Sequence, residues 1–431
     1  PYIHEQFPDQ DIEFIIGNND TDLYSYFKEH GELPDIMTVR RFSGTDAQDL
    51  QPYLMDFASY DVVSKYYSYA VEYYKDTDDE IQWLPICAIP QTIIANKTLF
   101  DQYGIKVPEN YEEYVQVCQQ FYDKGIKPYS MDLAEDWSNQ EIIQAAAIGE
   151  FTSLDGIDWR NKAETSAGEI KFDDVLWKRI FSETSQFLKD SHFSKEDINV
   201  NINTGTQMFV EGKSAMFHGQ PTDMQKLQDQ MDAELIRIPY FSQTSDSSFV
   251  YMFPSLNIAF NKELEKNKEK LDTALDVLDC MISEQGQKLI ADGSGVISLN
   301  TDVPSMMQNV PGLEEEIKDT SIYIRYSAQK SFDASLEAVH GLLSGKMDEM
   351  QAYNAFRSAM NSKDSKEKST VNFENEYSIL LTDTTKSILK KINPKCAIEQ
   401  IGDTTLSSAW IAAMSNGQQP SAPEDYIEVE K

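Results

Sequence analysis

Gln207–Pro221 reads QMFVEGKSAMFHGQP. Thr206–Glu211 has the pattern of a helix end, and Gly212 stands where a left-handed residue stops a helix. Ser214–Phe217 is a short apolar run with the character of a buried strand. Gly219 is expected to let the backbone turn sharply after it. The stretch predicts a helix, a glycine stop, one core strand and a turn that carries His218-Gly219-Gln220. A strand fed directly by a helix is the unit from which α/β layers are built.

The same alternation runs outward from it. DIEFII (residues 11–16) reads as a strand, LYSYFKEHGEL as a helix closed by Gly31, and PDIMTV as a second strand. That order predicts an α/β layer with a parallel sheet. LQPYLMDFAS and VVSKYYSYAVEYY read as helical. WLPICAIPQTIIANKTLF carries Pro85 and Pro90 inside an apolar stretch, which argues against one central strand. It is expected to be a strand on either side of a proline-stiffened joint. FVYMFPSLNIAFNK has the same character around Pro254, and ELIRIPY is a further strand. Helices are expected over NYEEYVQVCQQF with Asn110 as N-cap, SNQEIIQAAAIGE, VLWKRIFSETSQFLKD, residues 222–231, KEKLDTALDVLDCMISEQGQKLIAD and residues 331–360. Residues 361–371 have a linker composition. Helices are expected near 376–391 and 404–415, followed by an irregular end.

A chain of 431 residues is long for one core and predicts two or three domains. With 72 acidic against 37 basic residues the net charge is -35, and such a surface repels phosphate backbones. A nucleic-acid partner is not expected. No apolar run approaches the ~20 residues that span a bilayer. The chain opens on what reads as a helix end, so an upstream segment is expected to precede it. Cys87, Cys118, Cys280 and Cys396 form no CxxC pair. Cys118 and Cys280 lie on apolar helix faces and are expected to be buried free thiols, although two disulfides remain open from spacing alone.

Signals for chemistry are sparse. The sequence holds no Gly-x-Ser-x-Gly elbow, Walker A loop, GxGxxG or HExxH. DTDDE at 76–80 lacks the glycine and spacing of a calcium loop. Paired carboxylates for glycoside hydrolysis carry no information among 72 acids. No catalytic residue, cofactor or metal is expected.

Four segments in order resemble one family. They are FPDQDIEFI with LPDIMTV; IIANKTLFDQYGIKVPENYEEYVQVCQQF; MFVEGKSAMFHG; and SLNIAFNKELEKNKEKLDTALDVLDCMISEQGQKLIADGSGVISLNTDV. Together they resemble the extracytoplasmic solute-binding protein of a bacterial ABC importer, of the large carbohydrate-binding type, over roughly residues 7–360. The resemblance implies an α/β, two-lobed periplasmic-binding-protein-like fold (type II), with hinge-linked lobes and a ligand cleft between them. Residues 1–89 would begin the first lobe, 90–254 form the second, and 255–320 return to the first. Residues 321–360 would be helices packing mainly on the second lobe, and 361–431 a C-terminal extension. Strand exchanges between lobes are expected near 86–92, 252–257 and 303–325. Gln220 stands where the family often has an aromatic, and Ser298 where it usually has proline.

The implied function is capture of a carbohydrate, an oligosaccharide in the first instance, by hinge closure and delivery to membrane permease subunits. The protein would be a monomer at the cell surface or in the periplasm, lipid-anchored through the upstream segment. Two alternatives stay open: a secreted carbohydrate-active enzyme, and a surface interaction protein acting through residues 361–431. A sugar site wants flat aromatic faces and amide, carboxylate or guanidinium groups for the hydroxyl rim. The candidates are Trp83 and Trp137, each platform or core, with Tyr251 and Phe253 at the second crossing. Polar candidates are Asn18 and Asp20 after the first strand, Arg40 and Arg41 after PDIMTV, Gln140 beside Trp137, and His218 and Gln220 after the core strand. The tyrosine-rich segment 66–74 is read as packing, and Trp177 and Trp410 as core.

Overall fold

In a computed structural model of the chain, the described residues are 1–15, 22–39, 50–76, 78–165, 171–291, 295–303, 310, 312, 313, 316, 321–325, 329–362, 380, 381, 427 and 428. They fall into two units. Pro1–Phe14 with Asn19–Asn361 forms the larger, and Ile15–Asn18 with Ser362–Lys431 the other. In the latter, Leu380–Leu381 pairs antiparallel with Ile427–Glu428. The helices expected near 376–391 and 404–415, with Trp410 and Cys396, lie outside the described residues.

Among its described residues the larger unit has nine strands: β1 (Ile36–Val39), β2 (Leu84–Asn96), β3 (Lys127–Ser130), β4 (Ser214–Gly219), β5 (Leu235–Ile238), β6 (Tyr240–Phe241), β7 (Ser248–Phe260), β8 (Ile297–Ser298) and β9 (Ser321–Ile324). The main path runs β1-β7-β2-β4-β3; β5 and β8 also pair β2, and β6 and β9 pair β7. Among the described residues only β3–β4 and β7–β9 are parallel. The predicted parallel sheet is therefore corrected to a mixed one. The early strand that would have supplied a parallel neighbour does not form: residues 11–15 make no ladder, and Phe14 and Ile15 are exposed.

β2 corrects a second expectation. It is one continuous strand of 13 residues, buried throughout, with both prolines inside it. Leu84–Gln91 pairs β7, Cys87 and Ala88 also pair β8, and Thr92–Asn96 pairs β4 and β5. Pro85 thus precedes the β8 contact and Pro90 falls where the partners change. Both are places with a strand on one side only, where a missing N–H costs least. β7, also 13 residues, is likewise unbroken at Pro254, which faces Ala88. Leu256 within it has φ 58°, a left-handed conformation that a bulky residue adopts only under constraint.

These two strands run through two hydrophobic cores. Leu84, Ile86 and Ala88 of β2 join Met37, Val39, Ile258 and Phe260 in the first core. Ile93 and Ala95 join Tyr129, Ile142, Trp177 and Met216 in the second. On β7, Phe249 and Tyr251 belong to the second core while Val250 and Met252 belong to the first, as alternation along a strand requires. The helices Gln329–Leu343 and Glu349–Met360 send Ala338, Val339, Tyr353 and Phe356 into the second core. There Trp177 stacks on Phe356 at 4.8 Å and meets Trp159 edge-on at 4.6 Å.

Local chemistry explains most elements. Asn110 caps the Tyr111–Asp123 helix by accepting from Glu113 N–H. Gly31 (φ 69°) and Gly212 (φ 68°) adopt the left-handed form that ends their helices. Gly219 differs from its expected role. It lies within β4, and a Cβ there would meet Ile94 Cδ1 at 2.5 Å, so the glycine serves close strand packing rather than a turn. The two helices expected over residues 50–74 are shorter helical pieces instead, the 3-10 turns Gln51–Tyr53 and Asp61–Lys65 and the five-residue α-helix Ser68–Glu72. Tyr66, Tyr73 and Tyr74 pack into the first core while Tyr53 is exposed, and no long amphipathic stripe forms. Cys87, Cys118 and Cys280 are free thiols; Cys118 is buried, while Cys280 is only half-buried.

Candidate functional site

The Asp136–Ala146 helix buries polar side chains all round it. Ser138, Asn139, Gln140, Glu141 and Gln144 are all buried on it. Buried polar groups are costly without partners, and most of these find one, although Asn139 Oδ1 and Gln140 Oε1 have none among the described residues. Asn139 Nδ2 donates to the carbonyls of Leu133 (3.0 Å) and Glu135 (2.7 Å). Gln140 donates to Ser331 Oγ, and Gln144 accepts from Tyr323 OH at 2.6 Å.

Glu141 is the centre. Its carboxylate accepts from Gln91 Nε2, 3.1 Å from each oxygen, from His218 Nε2 at 2.6 Å, and from Arg325 Nη1. Arg325 also lies 4.5 Å over the Phe253 ring. Because the carboxylate can only accept, His218 Nε2 carries the proton, and Nδ1 accepts from Tyr240 OH at 2.8 Å. Burial holds the His218 imidazole below its ordinary value, so it is neutral. Burial also raises the neighbouring Asp132 carboxyl. The four partners of the knot come from four places: β2, the 136–146 helix, β4 and the residue that follows β9. It sits on β2 between Ile89 and Ile93, where the strand leaves one cluster of apolar residues for the next.

On the other face of β2, Thr92 Oγ1 is 2.9 Å from both Ile238 O and Glu316 Oε1. Glu316 Oε2 accepts from Arg237 Nε at 2.5 Å. The change of partners along β2 is thus flanked by a buried ion pair on each side. Buried pairs of this kind are costly to desolvate and are retained where geometry or ligand recognition needs them.

The predicted residues are distributed unevenly around the knot. His218 is in it, Phe253 lies under Arg325, and Gln140 is next to Glu141. Tyr251 is fully buried, with ring contacts to Tyr240 and Tyr323 at 5.6 and 5.5 Å. Trp137 is half-buried at the start of the helix, outside the cores, with its backbone N–H on Asp136 Oδ1 at 2.6 Å. Gln220 is the half-buried N-cap of the Pro221–Gln230 helix, its backbone N–H donated to Asp223 Oδ2 at 3.1 Å. Trp83, expected as platform or core, is 3 % exposed within the first core, as buried as Glu141, Arg325 and His218 of the knot itself. Asn18, Asp20, Arg40 and Arg41 lie outside the described residues. In the tyrosine-rich segment Tyr66, Tyr73 and Tyr74 are buried, but Tyr67 and Tyr69 are half-buried and stacked at 5.5 Å.

Sequence reasoning misses Gln91, Glu141 and Arg325. The usable signal is a single polar or charged residue inside an apolar run, as in AIPQTII and SIYIRYS. The arrangement offers charge, amides and ring faces held without freedom to reorganise.

Residues 28–319 match the family described as bacterial extracellular solute-binding protein. A multiple sugar-binding protein of Streptococcus mutans is 24% identical over 202 residues, 43% of this chain and 47% of that protein. The match therefore spans about half the length of that curated relative. Among solved structures, a probable secreted solute-binding lipoprotein from Streptomyces coelicolor has a TM-score of 0.69 at 13% identity, covering 84% of this chain and 92% of its own. RafE, from Streptococcus pneumoniae and solved in complex with raffinose, has a TM-score of 0.58 at 16% identity, covering 83% and 93%. The fold is the two-lobed one of such proteins, and the compared proteins are described as binding proteins rather than enzymes. With more than half its length matched by that family, the chain belongs to the bacterial extracellular solute-binding proteins.

Proposed function

We propose that this protein captures a carbohydrate outside the cytoplasmic membrane and presents it to the permease subunits of an ABC importer. Each hydrophobic core is one lobe. Residues 1–89 and 255–320 build the first and 90–254 the second, with Val250 and Met252 at the crossing already facing the first core, and the helices of 321–360 pack on the second. Ligand binds between the lobes and shifts the population toward a closed form by its greater affinity for that form. An oligosaccharide is favoured, because RafE carries raffinose and the S. mutans relative is named for multiple sugars.

The observation that carries this reading is the Glu141 knot. It places a guanidinium, a carboxylate, an amide and an aromatic ring together, all buried and bonded to one another in this structure, where β2 passes from one core to the other, so that a ligand would meet them only once the lobes part. These are the groups that bond a hydroxyl rim and cover a C–H face. Trp137 and the Tyr67–Tyr69 stack are the half-buried aromatic faces available to extend such a site, the former on the second lobe and the latter on the first.

A thermal-shift panel of mono- and oligosaccharides tests the reading, since a ligand that binds the native state raises its stability. Stabilisation by at least one oligosaccharide is expected; no shift with any of them refutes it. For a sugar that binds, stacking on Trp137 removes about 60–80 Å² of apolar surface from water, worth roughly 1.5–2 kcal/mol. Calorimetry on Trp137→Ala is then expected to show about tenfold weaker binding. Binding within twofold of the parent removes Trp137 from the site.

A further inference from the structure

Arg160 lies on the Leu154–Thr165 helix, which packs beside the second core through Trp159. Its side chain does not stay with that core. Nη1 donates to Ile324 O on β9 at 2.8 Å. The guanidinium lies 5.5 Å from the Tyr73 ring centroid and 5.7 Å from that of Tyr323. Tyr323 belongs to the second core, whereas Tyr73 is buried in the first. One cation is therefore held between rings of both cores and fixed to the strand that runs beside β7.

The far side of this contact leads back to the ligand site. Tyr323 packs on Tyr251 and Tyr251 on Tyr240, whose hydroxyl bonds His218. Tyr323 also donates to Gln144, one turn from Glu141. On the near side, Tyr73 meets Tyr74 edge-on at 5.0 Å, and Tyr74 OH donates to Asn257 of β7, the residue after the left-handed Leu256. Packed rings of this kind transmit a rigid displacement because close-packed interiors do not deform gradually.

We propose that Arg160 is a positioning residue that ties the two lobes together in the absence of ligand and thereby sets the population of the compact form. This rests on the assignment of the two cores to two lobes given above. Arg160 touches no ligand. It acts by lowering the free energy of the arrangement in which Tyr73 and Tyr323 both lie against its guanidinium. An arginine suits the task because its planar group can stack on two rings and still donate in its plane. Losing it should free the lobes to separate and reduce apparent affinity by the fraction of compact form lost.

The test needs no sugar, so it succeeds or fails independently of the carbohydrate reading. Spin labels carried on unnatural amino acids at positions 106 and 266, exposed sites on the second and first lobes, report the interlobe distance of the ligand-free protein without involving the native thiols. Arg160→Ala is expected to raise the longer-distance population about threefold or more, the range that one partly desolvated cation–π contact supports. Arg160→Lys, which keeps a charge over the rings but loses the fork, should fall between parent and Arg160→Ala. Identical distance distributions for all three overturn the proposal. Should Arg160→Ala fail to fold, Tyr73→Leu removes the first-lobe ring alone. It must lengthen the distance in the same sense, and an unchanged distribution again overturns the proposal.

Discussion

Two buried carboxylates attached to the same core solve the same problem in opposite ways. Glu141 is ringed by donors from Gln91, His218 and Arg325. Glu183, on the Asp174–Asp190 helix, instead faces Glu150, which is itself paired to Arg179 at 2.8 Å. Burial first, and then the neighbouring Glu150 charge, push the Glu183 carboxyl up to about 8. The first acid is surrounded by donors, whereas the second faces another carboxylate and keeps its proton. Burial acts on both carboxylates, but only Glu141 has donors among the described residues to offset it, and the two sites should respond differently to mutation and to pH.

The largest effect is expected at Glu141. Glu141→Ala leaves Arg325 and His218 facing each other without the anion between them. Removing one partner of a buried pair costs about 3–5 kcal/mol. A fall of that order in urea unfolding free energy, with Glu141→Gln milder, is the expected result. A loss below about 1 kcal/mol, the worth of an exposed pair, would erase the contrast with Glu183.

Glu183→Gln should do the reverse. Its raised value means that the native state keeps a proton which the unfolded chain releases near 4.5. This contribution to stability is present in full below that pH and fades as pH rises toward about 8. The variant, neutral throughout, should equal the parent near pH 4 and exceed it at pH 9 by at least about 1.4 kcal/mol, the free energy of a tenfold change in proton affinity. A parent–variant difference that does not change with pH would show that Glu183 holds no proton of its own in the folded state.

The smallest effect concerns His218. Its value is depressed in the folded state, so stability is complete above about 6.5 and falls as pH drops below the ordinary histidine range. Replacing it by Gln, which can still donate to Glu141 and accept from Tyr240, should flatten that acid limb while changing stability at pH 7.5 by only about 1 kcal/mol. An unaltered limb assigns the acid response to the carboxylates alone.

These sites also show where sequence legibility ends. The Ser214 strand, its Gly212 stop and the Asn110 cap are readable because each is set by neighbours within a few residues. β2 reads as two strands because proline rules apply to strands paired on both sides, and the sequence does not reveal that Pro90 falls where the partners change. Residues 50–74 read as helices although their aromatic spacing serves separate contacts with the first core. His218 and Phe253 can be brought near one another through strand position alone, and both adjoin the Glu141 knot. Glu141 and Arg325 cannot, since a buried charge is spelled like any of the 72 acids or 37 bases, and its partner is 184 residues away. The side chain's meaning is fixed by the contact, which is long-range.

β2 also constrains how this chain can change its length over evolution. Its odd-numbered residues Ile89, Gln91 and Ile93 and its even-numbered residues Ala88, Thr92 and Ile94 serve different clusters on its two faces. Gaining or losing one residue near Pro90 would invert every later side chain, sending Ile93 toward the place of Ile94 and Gln91's successor away from Glu141. A lengthening at the exposed Leu154 would disturb neither ladder. Single-residue insertions and deletions should therefore be purged from 84–96 as a block, while substitutions there that respect size and parity persist.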